Sequence, residues 1–162
     1  MIIFGYMNFP SCGWEDIDDG GFSCVINSDG FLEYKTYIFP QKEKRCKTYY
    51  ISESTINDIK EIISQNWKII DNIPENLDNG SCDGELNNFV FNNKKISALN
   101  IEQVDANLVK VLNFKYYAEY RNNIRNENKV LEIFNKICKL LKQEKVFLSL
   151  SSFSVGLLKK LK

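Results

Sequence analysis

Apolar and polar positions alternate with a period of two in several runs of this chain, as in strands whose successive side chains face opposite ways. Met1 to Phe9 reads as such a strand, ended by Pro10. Phe22 to Asn27 alternates again, Asp29-Gly30 follows, and Phe31 to Phe39 is β-rich up to Pro40. Asp-Gly tolerates the positive φ angles of a type I′ turn, so a hairpin with a two-residue loop is predicted here. Gln41-Lys42-Glu43 turns the chain into a third strand, Lys44 to Ile51, completing a meander.

The period changes after Ser52. Ile56, Ile59, Ile62 and Ile63 share one face of a helix, with Ser52 or Ser54 as N-cap and Glu53 and Asp58 near its positive end. Trp67 to Ile70 reads as extended and 71–84 as an acidic loop. A second hairpin follows: Glu85 to Phe91, an Asn92-Asn93 turn, then Lys95 to Ile101. Val130, Ile133, Phe134, Ile137, Cys138, Leu140 and Leu141 form the apolar stripe of a later helix. Residues 104–126 suit either element, Val146 to Leu150 reads as extended, and 151–162 could close with a helical turn or two. Strands at even spacing, amphipathic helices and few crossover units predict an α+β fold: an antiparallel sheet of hairpins with two or three helices on one face. With no repeat or linker, residues 1–162 are expected to form one domain.

Composition removes chemistry. The chain has no histidine. That excludes a Ser-His-Asp or Cys-His nucleophile, a His-ligated zinc site and a histidine pH switch. Hydrophobic residues at 44% and charged residues at 26% are those of a globular chain rather than a disordered one. No apolar run approaches the roughly 20 residues of a membrane helix. Met1 to Gly5 lacks the basic start of a signal peptide and reads as strand. Cysteines at 12, 24, 46, 82 and 138 include no C-x-x-C pair. Five free thiols in a reducing cytoplasm are expected, with Cys24 and Cys138 in the core. Abundant Asn, Ile and Lys beside few Arg match AT-rich codon usage and suggest a bacterial source.

Net charge is zero but unevenly spread. Residues 129–162 carry eight Lys against two Glu, giving +6, and the remaining 13 basic and 19 acidic groups leave 1–128 at −6. Exposed lysines contribute little to stability, so the basic segment is expected to pack by its apolar stripe with Lys129, Lys136, Lys139 and Lys142 facing away.

Gly21-Phe22-Ser23, Asp29-Gly30, the Ser52 to Trp67 helix and Cys82-Asp83-Gly84, in that order, resemble small bacterial α+β domains of unknown function over residues 20–101. The resemblance implies the fold and no activity.

Four groups of residues offer chemistry. Asp16, Asp18 and Gly21 match positions 1, 3 and 6 of a calcium loop, but position 12 is Asn27 where a bidentate Glu is needed, so no metal is expected. Glu15, Asp16, Asp18 and Asp19, with Asp78 and Asp83, could form a hydrolytic pair or hold a divalent metal if the two acidic loops meet. Cys82 sits in a turn, yet Asp83 beside it opposes the lowered pKa that a nucleophile needs. Lys42, Lys44, Arg45 and Lys47 with Tyr49 and Tyr50 could read as a nucleic-acid surface, but a lysine-protected edge strand is simpler for a neutral chain. Phosphate-loop and dinucleotide patterns are absent from the sequence.

No catalytic residue is therefore assigned, Asp16, Asp18, Asp83 and Cys82 being the candidates, and no cofactor is expected. The leading expectation is a small bacterial intracellular protein that binds another protein, in an immunity- or antitoxin-like role. Nucleic acid and membrane are disfavoured as partners. The alternatives are a carboxylate-based or metal-assisted hydrolase using the 10–21 and 71–84 loops, and a self-associating structural protein.

Overall fold

The computed structural model describes residues 1–10, 20–77, 84–99, 101 and 121–148. Within them the elements run β1 (Ile2–Pro10), β2 (Phe22–Asn27), β3 (Phe31–Ile38), β4 (Lys42–Tyr50), α1 (Glu53–Gln65), α2 (Trp67–Asn72), β5 (Asn76–Leu77), β6 (Glu85–Phe91), β7 (Lys94–Leu99) and α3 (Arg121–Gln143). The strands form one seven-stranded sheet in the order β4-β3-β2-β1-β6-β7-β5. Every neighbouring pair is antiparallel except β5 with β7. This is the α+β architecture the hairpin pattern predicts.

β1 lies at the centre because both hairpin systems add to it. The β2-β3-β4 meander extends one way, and α1 and α2 carry the chain to β5 at the other edge. The inward positions of the central strands are aromatic: Phe4, Tyr6, Phe22, Phe89 and Phe91. Phe134 of α3 sits among them, with ring centroids 4.7 Å from Tyr6, 5.4 Å from Phe89 and 6.2 Å from Phe4. Offset and edge-on ring pairs at these distances add to the burial of large apolar area. α1 contributes Ile56, Ile59 and Ile63, and α3 contributes Val130, Leu131, Ile133, Phe134, Ile137 and Leu141. Lys129, Lys136, Lys139 and Lys142 are exposed, as the stripe requires. Among the described residues, no helix is long and apolar enough to cross a membrane.

The structure departs from the sequence reading in several places. Asp29-Gly30 does not form a two-residue type I′ loop. Gly30 N–H donates to Asn27 O at 3.0 Å and Gly30 has φ +85°, whereas Asp29 is not among the positive-φ residues. The loop is therefore three residues, Ser28 to Gly30, a turn closed by a left-handed glycine. The type I′ geometry sits at Asn92-Asn93, with φ of 47° and 66° between Phe91 and Lys94. Trp67 to Ile70 is helical, not extended, because α2 needs only Ile70 of that apolar run in the core while Trp67 and Ile69 stay exposed. Part of the 71–84 loop is regular: α2 reaches Asn72, and Asn76–Leu77 pairs with β7. Cys138 is half-buried rather than core. The helix over 121–126 resolves part of the ambiguous stretch, while 104–120 and 149–162 lie outside the described residues.

Candidate functional site

Asp16, Asp18, Asp83 and Cys82 all lie outside the described residues, as do Glu15, Asp19 and Asp78. The anchors of their loops are described. Pro10 pairs with Glu85, and Phe22 with Asn8. Leu77 is level with Ala98, which is level with Asn87. Both acidic loops therefore leave the sheet at the same end, a juxtaposition that the sequence does not reveal. The first loop returns through Gly20, whose N–H donates to Tyr37 O at 2.9 Å, and through Gly21 at φ +88°. A Cβ on Gly21 would strike the Asn8 carbonyl, so the close passage of backbone against β1 needs glycine.

Beneath that end lies a buried polar cluster. The Tyr6 hydroxyl donates to Asn87 Oδ1 at 2.8 Å. Asn8 Nδ2 donates to Asn87 Oδ1 at 3.1 Å and to Glu85 Oε2 at 3.0 Å. Asn87 Nδ2 donates to the Glu85 carbonyl at 3.1 Å. Asn8 is 0% exposed, and among the described residues its Oδ1 has no hydrogen-bond partner. Burial, then the Glu85 carboxylate and Cys138, push the Tyr6 phenol above its usual range, so it stays a proton donor to Asn87. Within the cluster Asn8 Oδ1 remains as an acceptor. The sequence reading missed it, although Asn8 is in phase with Phe4 and Tyr6, and Asn87 with Phe89 and Phe91; asparagines at inward positions were the signal.

Cys24 and Cys138 are not poised as nucleophiles. Burial, then the nearby Cys138, drives the Cys24 thiol well above its ordinary range. Cys138 lines a hollow of about 340 Å³ with Lys139, Lys142, Phe147 and Leu148, yet burial pushes its pKa up to about 12. Cys46 is exposed on β4. Among the described residues, no group of three acidic or thiol side chains converges as metal ligands.

A second feature lies on the sheet's outer edge. Among the described residues β4 neighbours only β3, and of its nine residues only Tyr49 is partly buried. The two faces of the β3–β4 ribbon differ in charge. On the face away from the helices, Lys35 bridges Glu33 at 3.1 Å and Glu43 at 3.3 Å. Hydrogen bonds to Glu33 and then Glu43 hold the Lys35 ammonium above its ordinary range. On the helix-side face, Arg45 stands opposite Thr36 and Lys47 opposite Tyr34. Together with Lys44 these residues line a concavity of about 240 Å³. The acidic groups of the ribbon are thus committed on one face, and the cations of the other face gather around two hydroxyls.

No protein-family model matches the chain, and no curated protein sequence is significantly similar to it.

Proposed function

We propose that this protein works by binding another protein rather than by catalysis, an immunity- or antitoxin-like role in a bacterial cytoplasm being its most concrete form. The observation that carries the proposal is the segregation of charge on the β3–β4 ribbon. Glu33 and Glu43 serve Lys35 on one face, leaving Arg45 and Lys47 exposed around a concavity on the other. Cations arranged in this way contribute little to the fold and favour encounter with an acidic partner. A body at −6 in the sequence totals would by itself suit a basic partner, whereas the ribbon suits an acidic one. A toxin gene beside the gene for this chain, and capture of its product by the tagged protein at physiological salt, would support the proposal. Inability to neutralise such a toxin on co-expression would reject the immunity form.

The hydrolase alternative is favoured by one observation, the departure of both acidic loops from the same end of the sheet over Asn8. A screen with phosphoester and glycoside probes, repeated on an Asp16→Asn/Asp83→Asn variant, tests it. Activity that this variant loses would establish catalysis.

A further inference from the structure

We propose that β4 takes up an extended acidic segment of the partner by strand addition, with acidic side chains at alternate positions seated opposite Arg45 and Lys47. This rests on the binding role proposed above and names the surface and the chemistry of the partner.

An exposed edge strand presents unpaired backbone groups that another strand can complete. The register of β4 against β3 shifts between Thr36 and Tyr37, where Thr36 faces Arg45 and Tyr37 faces Glu43. Lys44 is thus the extra residue of a bulge, and Arg45 to Tyr50 form the regular part of the edge. Arg45, Lys47 and Tyr49 point to the helix side, and Cys46, Thr48 and Tyr50 to the other. An added strand would place every second side chain beside Arg45 and Lys47, within cross-strand reach. Acidic residues there meet two cations and the Thr36 hydroxyl in the concavity. The intervening residues meet Thr48 and the Tyr50 ring, which packs edge-on against Phe31 at 5.5 Å.

Two other occupants fit less well. A second copy paired through β4 would collect both copies' Arg45 and Lys47 on one face of the joint, and like charges at cross-strand distance repel. Single-stranded nucleic acid needs phosphate contacts and stacking rings on one surface. Here the exposed Tyr50 lies on the face opposite Arg45 and Lys47, and Tyr49, on their own face, is packed against the core.

The test titrates three labelled probes of equal charge into the whole protein: a peptide alternating Glu and Thr, a peptide with the same residues in two blocks, and an oligothymidylate. The same titrations are run on R45E/K47E and on R45T/K47T, with thermal melts to show that each variant is folded. Support is tightest binding of the alternating peptide, new exchange protection of β4 amides, and binding about tenfold weaker or worse in R45E/K47E. The proposal is overturned by absent peptide binding, by equal or tighter binding of the blocked peptide or oligothymidylate, or by binding that charge reversal leaves unchanged. Self-association of R45T/K47T with peptide binding intact would also overturn it, since the cations would then be edge protection. Capture from native lysate separates the two levels. A partner held equally by wild type and R45E/K47E sinks the β4 surface and leaves the binding role standing; no partner for either sinks the role itself.

Discussion

Glu144 caps helix α1 from the far end of α3: its carboxylate accepts the backbone N–H of Ser52, 92 positions earlier, at 3.2 Å. Ser52 is the N-cap, its Oγ accepting from Thr55 N–H at 3.3 Å while its hydroxyl donates to Glu144. Thr55 Oγ1 donates to the same carboxylate at 2.6 Å. In a capping box a Glu three residues into the helix reaches back to the N-cap N–H. Thr55 holds that position here, so Glu144 performs the reach from another element and ties the two packed helices together.

Glu144→Ala should therefore destabilise the protein by about 1 kcal/mol, the usual value of an N-terminal cap. Partial burial raises the Glu144 pKa, but hydrogen bonds from the Ser52 and Thr55 side chains and then the Ser52 backbone outweigh it, leaving the folded pKa below the ordinary 4.5. A depressed folded pKa means that the unfolded chain binds the proton more tightly. The contribution of the carboxylate is present above the unfolded value and is lost as pH falls through the folded one. Urea melts of wild type and Glu144→Gln should differ constantly near neutral pH and converge only in the acid range. A gap that closes between pH 6 and 8 would be the wrong sign.

Gly30→Val should cost 1 kcal/mol or more, about the scale of forcing a β-branched residue to positive φ. Its Cβ would also lie 2.5 Å from Ile56 Cδ1, so the loss includes disturbed packing of α1. Asn93→Gly should cost less, since glycine adopts the left-handed conformation freely at φ 66° and only the bond from Ile2 N–H to Asn93 Oδ1 is lost. Denaturant midpoints of the two variants check the pair, and equal effects would contradict the turn assignments.

Thiol reactivity should be ordered. Cys46 is exposed and should be modified in native protein, while Cys24 and Cys138 stay protonated and shielded until unfolding. Peptide mapping after a short pulse of iodoacetamide, with and without denaturant, measures this. Rapid native labelling of Cys24 would show that the sheet does not bury it.

Where the sequence could be read, one residue's neighbours in the chain were enough. The Ile56 and Val130 stripes and the alternating strands carry their own period, and the pairing of hairpins follows from it. Asp29-Gly30 marked the right hairpin with the wrong loop, because Asp-Gly serves both a type I′ turn and the end of a three-residue loop. Trp67 to Ile70 reads as extended yet folds as helix, because a run of four residues has no measurable period. The features of functional interest were illegible for a different reason: they depend on pairing across the sheet. That Pro10 meets Glu85, that Arg45 faces Thr36, and that Glu33 and Glu43 share Lys35 are facts of register.

Removing residues 129–162 should abolish folding, since it deletes Val130, Leu131, Ile133, Phe134, Ile137 and Leu141 from the core. Phe134 alone touches Phe4, Tyr6 and Phe89, and its loss to Ala is expected to cost about 3–5 kcal/mol. Circular dichroism and thermal melting of the chain ending at 128 decide it. A cooperative melt would make the basic segment an appendage.

The binding role is tested most directly by native mass spectrometry of the tagged protein purified gently from its own cells. A one-to-one complex with one acidic protein is expected, dissociating as ionic strength rises and missing from the R45E/K47E preparation. A bare chain in both preparations, with turnover of a small substrate, would contradict it.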